Sequence, residues 1–457
     1  YRKERFMHLK KIEKRLFGTN GVRGIAGTEM TPGLALKIGL ALGTMRQGTI
    51  AVGRDTRTSG PALVSALKAG LLAAGCDVVD CGILPTPALQ FLVRRHFDAG
   101  AVVTASHNPP EYNGIKVVEP DGTEMGDEES VALEKHIFED TSRIVSWERT
   151  GRERSAPALV EEYVDAVVRA FPPCIGEGMP VVADPGCGAA AATTPEILNR
   201  LGCRVYSLNC QMDGTFPARP PEPSAQGLLP LADLVKTTGA SFGVAHDGDA
   251  DRAVFVDEKG HFIEENVEFG LIADHVCQGR KGVIVTPVST SRIIEVIGKR
   301  NGCRVVYTPV GSIYVARTMI SLAAQGIPVV FGGEGNGGLI FPGHQLCRDG
   351  GMTAATMVSL LAHKGESLSS LVNAMPHFAL IKDKFREKDP QALVARLVDH
   401  YSGENLDLTD GIRINRGDSW ALVRPSGTEP LVRVMVESES GERAEQFYKE
   451  IMSLIQR

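Results

Sequence analysis

The sequence predicts an α/β protein with three similar mixed-sheet α/β domains arranged around a cleft, followed by a C-terminal α+β domain. Three observations predict it. A plan of short apolar strand, glycine-bearing loop, helix, Gly-Cys and second strand occurs three times. Each copy then runs through another helix to a third apolar strand, the alternation of parallel α/β sheets. The last segment instead places two strands around a turn and ends in one amphipathic helix. A chain of 457 residues fits such a division, since domains average roughly 150 residues. The expected boundaries give domains 1–155, 156–257, 258–369 and 370–457.

In the first copy, strand TIAVG leads through helix PALVSALKAGLLAA to Gly75-Cys76 and then to the third strand DAGAVVTAS. In the second, PVVAD leads to Gly202-Cys203 and then to ASFGVAH. In the third, GVIVT leads to Gly302-Cys303 and then to GIPVVF. Each glycine stands where a helix stops in a left-handed conformation. Each cysteine reads as a small core residue. The final helix shows Ala444, Phe447, Ile451 and Ile455 on one face, behind strands SWALVRPS and PLVRVMVE.

Composition excludes several function classes. Net charge is -6 with mixed signs, which argues against a nucleic-acid or membrane-surface partner. No apolar stretch approaches the roughly 18 residues of a membrane span. Nine cysteines without a C-x-x-C pair indicate neither a disulfide framework nor a thiolate zinc site, and point to a reducing cytoplasm. The basic head, from Arg2 and Lys3 to Lys14 and Arg15, reads as a solvated arm.

The unusual residues follow the third strands. They are Thr104-Ala105-Ser106-His107-Asn108-Pro109, Asp247-Gly248-Asp249-Ala250-Asp251-Arg252 and Gly333-Glu334-Gly335-Asn336-Gly337-Gly338. Ligands of such sheets bind beyond the carboxyl ends of strands, so three converging domains would put a serine, a metal cage and a recognition loop in one cleft. Asp247, Asp249 and Asp251 supply only hard oxygens, which suits magnesium and leaves room for a phosphate oxygen. The plain alternative is a solvated acidic turn. Calcium is a sharper competitor, because these aspartates and Glu258 fall at positions 1, 3, 5 and 12 of an EF-hand loop. It fails because Arg252 stands where that loop needs glycine and because the flanks are strand-like. His246 reads as a structural hydrogen-bonder.

A lone serine at a strand end is usually only a loop residue. Here His107, Asn108 and Lys116 gather cationic and polar donors around Ser106, as phosphoryl transfer requires. No G-x-S-x-G elbow suggests acyl transfer, and no G-x-x-x-x-G-K-[ST] loop suggests a nucleotide. The phosphate is then expected on the substrate. Arg424-Pro425-Ser426-Gly427-Thr428-Glu429, between the last strands, offers a guanidinium, hydroxyls and turn amides to a second phosphate. Two rivals are an NAD-dependent oxidoreductase and a noncatalytic phosphosugar sensor. Against the first, Gly333-x-Gly335-x-x-Gly338 runs into no helix, and although Gly186-x-Gly188 opens one, the next strand ends near Asn209, where an acidic ribose ligand belongs. Robust turnover would exclude the second.

Five motifs, Phe17 to Gly24, Thr104 to Pro109 with Asn113 to Lys116, Asp247 to Arg252, Gly333-Glu334, and Arg424 to Pro430, closely resemble the α-D-phosphohexomutase superfamily over essentially the whole chain. The resemblance implies an isomerase that interconverts hexose 6-phosphate and 1-phosphate through phosphoserine Ser106 and a hexose bisphosphate. It implies Mg2+ held by Asp247, Asp249, Asp251 and the Ser106 phosphate. Arg23, Lys116 and His107 would stabilise the moving phosphoryl group. Glu334 would bridge ring hydroxyls in a substrate-binding set with Asn336 and Arg252, and Arg424, Ser426, Gly427 and Thr428 would hold the idle phosphate. The sequence departs from many relatives at Asn336 and Gly338, where they place serine and histidine, so Lys116 becomes the expected proton-transfer group. The pattern is similar to the archaeal branch, and the expected partner is a phosphorylated hexose or hexosamine, with glucosamine 6-phosphate first and mannose or glucose phosphate second.

Overall fold

Each of the three sequence copies builds a sheet around the same order of four strands, to which the first adds a strand at either edge. The computed structural model describes residues 14–18, 20–425 and 431–455. In the first copy, β1 (Val22–Ile25) precedes β2 (Thr49–Arg54), β3 (Asp77–Ile83), β4 (Ala99–Val103), β5 (Tyr112–Val118) and β6 (Glu153–Ser155). They form one sheet in the order β1-β5-β4-β2-β3-β6. The second copy contributes β7 (Pro180–Asp184), β8 (Arg204–Ser207), β9 (Phe242–His246) and β10 (Ala253–Asp257), ordered β10-β9-β7-β8. The third contributes β11 (Val283–Pro287), β12 (Arg304–Thr308), β13 (Val329–Glu334) and β14 (Gly338–Ile340), ordered β12-β11-β13-β14.

The sheets are mixed for one reason. Within each copy one strand, β2, β7 or β11, pairs parallel to the next two, and a return strand then pairs antiparallel to the second of these: β5 on β4, β10 on β9, β14 on β13. The third strand and its return strand therefore make a hairpin, and the singular residues sit at its mouth. Gly75, Gly202 and Gly302 end the preceding helices at φ of 89°, 94° and 70°, which a side chain would resist. The cysteines that follow are buried.

The fourth sheet is wholly antiparallel, in the order β15 (Ala379–Arg386), β19 (Leu431–Ser438), β18 (Ser419–Pro425), β17 (Ile412–Arg416) and β16 (Asn405–Asp407). The helix Gly441–Ile455 covers it with Ala444, Phe447, Ile451 and Ile455.

One apolar cluster runs through the first three units, from Phe91 and Val102 through Tyr163, Phe242 and Phe255 to Phe269 and Phe331. The fourth sheet has its own core around Ile412, Ile414, Val434 and Ile451. A smaller cluster of Val288, Trp420 and Leu422 joins it to the third unit. The basic head differs from expectation where it is described. Lys14 donates to Asp127 at 2.6 Å, and Arg15 lies over the Phe138 ring at 5.6 Å, because the turn before Phe17 is pinned by Glu134. The rest of that head, residues 1–13, lies outside the described residues.

In the first unit, helices Pro32–Met45 and Gly60–Ala73 cross where glycines face backbone. A Cβ on Gly39 would stand 2.2 Å from the Leu67 carbonyl oxygen, and one on Gly70 2.3 Å from that of Leu36. Gly39→Ala should therefore push the helices apart at a cost of about 1–3 kcal/mol. Scanning calorimetry should show its lowest transition shifted down by several degrees, about what a loss of that size produces.

Candidate active site

The Ser106 loop is held in a conformation that its sequence disfavours. Ser106 has φ of 51°, a left-handed value uncommon for a residue with a Cβ. Two groups impose it. The Thr104 hydroxyl accepts from the Ser106 amide at 2.9 Å, and Thr104 in turn donates to Asp55 at 2.6 Å. Arg57, fully buried, donates through Nη2 to the carbonyls of Ser106 and Asn108 and through Nη1 to those of Pro109 and Tyr112, while its Nε pairs with Asp55 at 3.0 Å. One guanidinium thus ties four carbonyls of a single loop.

From that loop the Ser106 hydroxyl donates to Asp247 at 2.7 Å across the boundary between first and second units. The hairpin joining β9 and β10 turns sharply at Ala250, whose φ is 55°, and so points Asp247, Asp249 and Asp251 to one side. All three are buried, and one oxygen of each lies within 4.8 Å of the others. Lys116, on β5, donates to Asp249 at 2.7 Å and to Asp251 at 3.0 Å. Arg348, from the third unit, reaches Asp251 at 2.5 Å and Glu334 at 3.0 Å. Arg252 pairs with Asp247 at 3.3 Å and with Glu222 at 3.1 Å. The three hairpin loops are therefore in one cleft.

Charge explains how such crowding is tolerated. Burial pushes Asp247 up to about 7, and the charges of Asp251 and Asp249 add to it. Burial pushes Asp249 and Asp251 the same way, but Lys116 and Arg348 outweigh it and leave both below the usual carboxylate range. Burial alone would lower the Lys116 ammonium, yet Asp249 and Asp251 raise it. Glu334 is raised by burial against the pull of Arg348. One oxygen each of Asp249 and Asp251 is buried with no hydrogen-bond partner. Buried carboxylate oxygens without donors are costly, and a hard divalent cation would satisfy them while letting Asp247 ionise. The donor set fits such an ion.

Other residues named from sequence fall as follows. Arg23 donates to Asn108 at 3.0 Å and is lowered chiefly by burial. His107 lies 3.5 Å from the Ser106 hydroxyl and 3.7 Å from Glu222, and is lowered to about 4 by burial and then by Arg252. His246 is a hydrogen-bonder, with Thr194 at 3.0 Å and the Arg252 carbonyl at 2.9 Å. Glu258 binds Ser369 and takes no part in the carboxylate cluster. Asn336 accepts from the Gly338 amide within its own turn. Arg424 pairs with Asp410 at 3.0 Å in the fourth unit. Ser426, Gly427 and Thr428 lie outside the described residues.

Sequence reasoning missed Arg57, Glu222 and Arg348. The signal for two of them is faint: Asp55-x-Arg57 follows β2 at the cleft end of the sheet, and Arg348-Asp349 stands just before a Gly-Gly pair in the loop after β14.

Four family models match the chain in order. They are the phosphoglucomutase/phosphomannomutase alpha/beta/alpha domains I, II and III at residues 14–144, 161–260 and 265–378, and the C-terminal domain at 380–454. The chain belongs to the phosphoglucomutase/phosphomannomutase family. Among relatives of this family, a Thermococcus kodakarensis protein named "Phosphoglucomutase/phosphomannomutase" is 45% identical over 95% of this chain and 96% of its own. A Methanopyrus kandleri protein named "Probable phosphoglucosamine mutase" is 40% identical over 96% and 98%. A solved family structure from Burkholderia thailandensis superposes with a TM-score of 0.86 at 27% identity, over 96% of each chain. The phosphoglucomutase/phosphomannomutase fold thus accounts for all four sheets, and the chain is a phosphohexomutase, an isomerase of the phosphotransfer class.

Two outcomes follow from the cleft. Arg57→Lys removes the fork that ties the Ser106 loop, so exchange of amides 105–112 should accelerate and turnover should fall about tenfold or more. Divalent cation binding should expel the Asp247 proton. Because that carboxyl is raised, the proton is present below about pH 7 and absent above it. Calorimetric affinity should then weaken about tenfold per unit below pH 7 and level off above. A flat profile across that range would remove Asp247 from the cation site.

Proposed function

We propose that this chain interconverts hexose 6-phosphate and hexose 1-phosphate through a phosphorylated Ser106 and a hexose bisphosphate, with glucosamine 6-phosphate as the preferred substrate. The observation that carries this reading is the Ser106 hydroxyl, strained and buried, donating at 2.7 Å into the carboxylate trio. A serine that alternates between hydroxyl and a more highly charged phosphate fits a cation site placed against it. Magnesium held by Asp247, Asp249, Asp251 and the Ser106 phosphate supplies the positive charge that phosphoryl transfer requires.

The chain's own residues supply the rest. As the substrate hydroxyl bonds to phosphorus, the bond from phosphorus to Ser106 Oγ breaks; the hydroxyl gives its proton to water, Oγ takes one from Lys116, and Lys116 recovers its proton from water, so the step is proton-neutral. Lys116 stays charged beside Asp249 and Asp251, so it is the donor for the departing Oγ. Arg23, fixed by Asn108, faces the equatorial oxygens. His107 is neutral at neutral pH and serves as a hydrogen-bond partner rather than a cation. Glu334, oriented by Arg348, accepts from paired ring hydroxyls. Arg424 takes the idle phosphate by exchanging Asp410 for it.

The Methanopyrus name supports the hexosamine, and the Thermococcus name supports glucose or mannose phosphate as the second reading. Among the described residues no helix is long and apolar enough to cross a membrane. Phosphorus NMR with magnesium, a trace of hexose bisphosphate and each 6-phosphate in turn should show 1-phosphate appearing fastest from the glucosamine compound. Ser106→Ala should lose at least about a thousandfold in turnover, the scale of deleting a covalent nucleophile. A fully active variant would sink the phosphoserine step.

A further inference from the structure

Glu124 is a carboxylate on the cleft wall that lies near several cations and is the direct ion-pair partner of none among the described residues. It stands just after β5, fixed by the turn that bridges Val118 to Glu124 and by the bond from the Glu119 amide to the Thr123 carbonyl. Its one side-chain hydrogen bond among the described residues is from the Ser312 hydroxyl at 2.9 Å, across the seam between the first and third units. It forms no ion pair among the described residues. The neighbouring cations have other side-chain partners: Lys116 with Asp249 and Asp251, Arg348 with Asp251 and Glu334, Arg252 with Asp247 and Glu222, Arg23 with Asn108, and Arg317 with Asp121, while Arg317 also donates to the Glu124 backbone carbonyl at 3.4 Å. Glu124 nevertheless lies within electrostatic reach of Arg23, Lys116, Arg348 and Glu334.

Its position lies along the span a substrate must bridge. Ser312 opens the helix Ser312–Ala324, and two residues earlier the Val310 amide donates to Asp410 at 3.0 Å. Asp410 is the partner of Arg424. The pair Glu124 and Ser312 therefore stands between the Asp410 contact, two residues away in the chain, and the Asp251–Arg348 pair of the cleft. Beside that pair is a cavity of about 10 Å³, lined by Glu124, Ser312, Asp251 and Arg348. It has room for one water-sized polar group, and an ammonium has that size and three donors.

We propose that Glu124, with Ser312, receives the C2 ammonium of a hexosamine phosphate and thereby sets the preference for an amino sugar over a neutral hexose. This rests on the phosphohexomutase reading above and assigns the specificity group that the reading lacks. Glu124 is a specificity residue that contacts substrate and takes no part in the transfer.

The test compares kcat/KM for glucosamine 6-phosphate and glucose 6-phosphate in the full chain. Glu124→Gln keeps an acceptor for Ser312 and removes the charge. The glucosamine to glucose ratio should fall between tenfold and about a hundredfold, the worth of a hydrogen bond to a charged group, while glucose turnover stays within about threefold. Glu124→Asp keeps the charge and should retain most of the preference, which also covers the case in which the first variant folds poorly. Equal losses on both substrates, or an unchanged ratio, would overturn the assignment and leave Glu124 as a seam residue. If the unaltered enzyme converts glucose 6-phosphate and not glucosamine 6-phosphate, the hexosamine reading falls and takes the Glu124 assignment with it. The first failure shows in the variants alone and the second in the parent enzyme, so the two are distinct.

Discussion

Three carboxylates sharing a buried space have to be compensated, and most of the cleft's architecture answers that requirement. Taken from water without partners, each charge would cost several kcal/mol, so the group would neutralise instead. The second unit, which carries Asp247, Asp249 and Asp251, supplies Arg252 as its compensating cation. Lys116 comes from the first unit and Arg348 from the third. The packing of the three units is thus an electrostatic necessity as well as an apolar one. Asp247, where compensation is weakest, is the carboxyl that burial lifts to about 7.

Much of this was legible in the sequence because repetition is legible. The Gly-Cys helix stops, the third strands and the loops after them recur at regular places, and the fold returns them as equivalent hairpin mouths. Ser106, Asp247 and Glu334 stand out because each is a polar residue at the end of an apolar run, Asp249 and Asp251 because they alternate with Asp247, and Lys116 because it is a cation inside an apolar strand. Arg57 and Arg348 do not stand out, because their function depends on carbonyls and carboxylates far away in the chain. Arg57 is an ordinary arginine until Pro109 and Tyr112 fold over it. Glu124 lies in a surface-like sequence, PDGTEMGDEE, and becomes distinctive only when Ser312 closes on it. Lys14 and Arg15 misled for the same reason, since Asp127 and Phe138 lie more than a hundred residues away.

The fourth unit follows a different logic. Its sheet is antiparallel and its core separate, and it meets the third unit through Val288, Trp420 and Leu422. Polar bonds reinforce that joint, with Arg413 donating to the Val288 carbonyl at 2.7 Å and the Arg292 amide to Glu437 at 2.9 Å. Asp410 belongs to both the joint and the Arg424 pair, so the residue that parks a phosphate-binding guanidinium also anchors the unit that carries it.

The shared strand order of the first three units bears on how the chain is made. Each sheet is assembled from one contiguous stretch, so each can complete itself as it leaves the ribosome, in the domain-by-domain manner expected of long chains. The second sheet is an exception in one respect. When it is finished, Lys116 has already been synthesised but Arg348 is still almost a hundred residues from Asp251, its eventual partner. During that interval the nascent second unit carries an acidic loop with part of its counter-charge missing. Full compensation of that loop waits on the arrival of the third unit, and a chain truncated before Arg348 would be the form most in need of a chaperone or a bound cation.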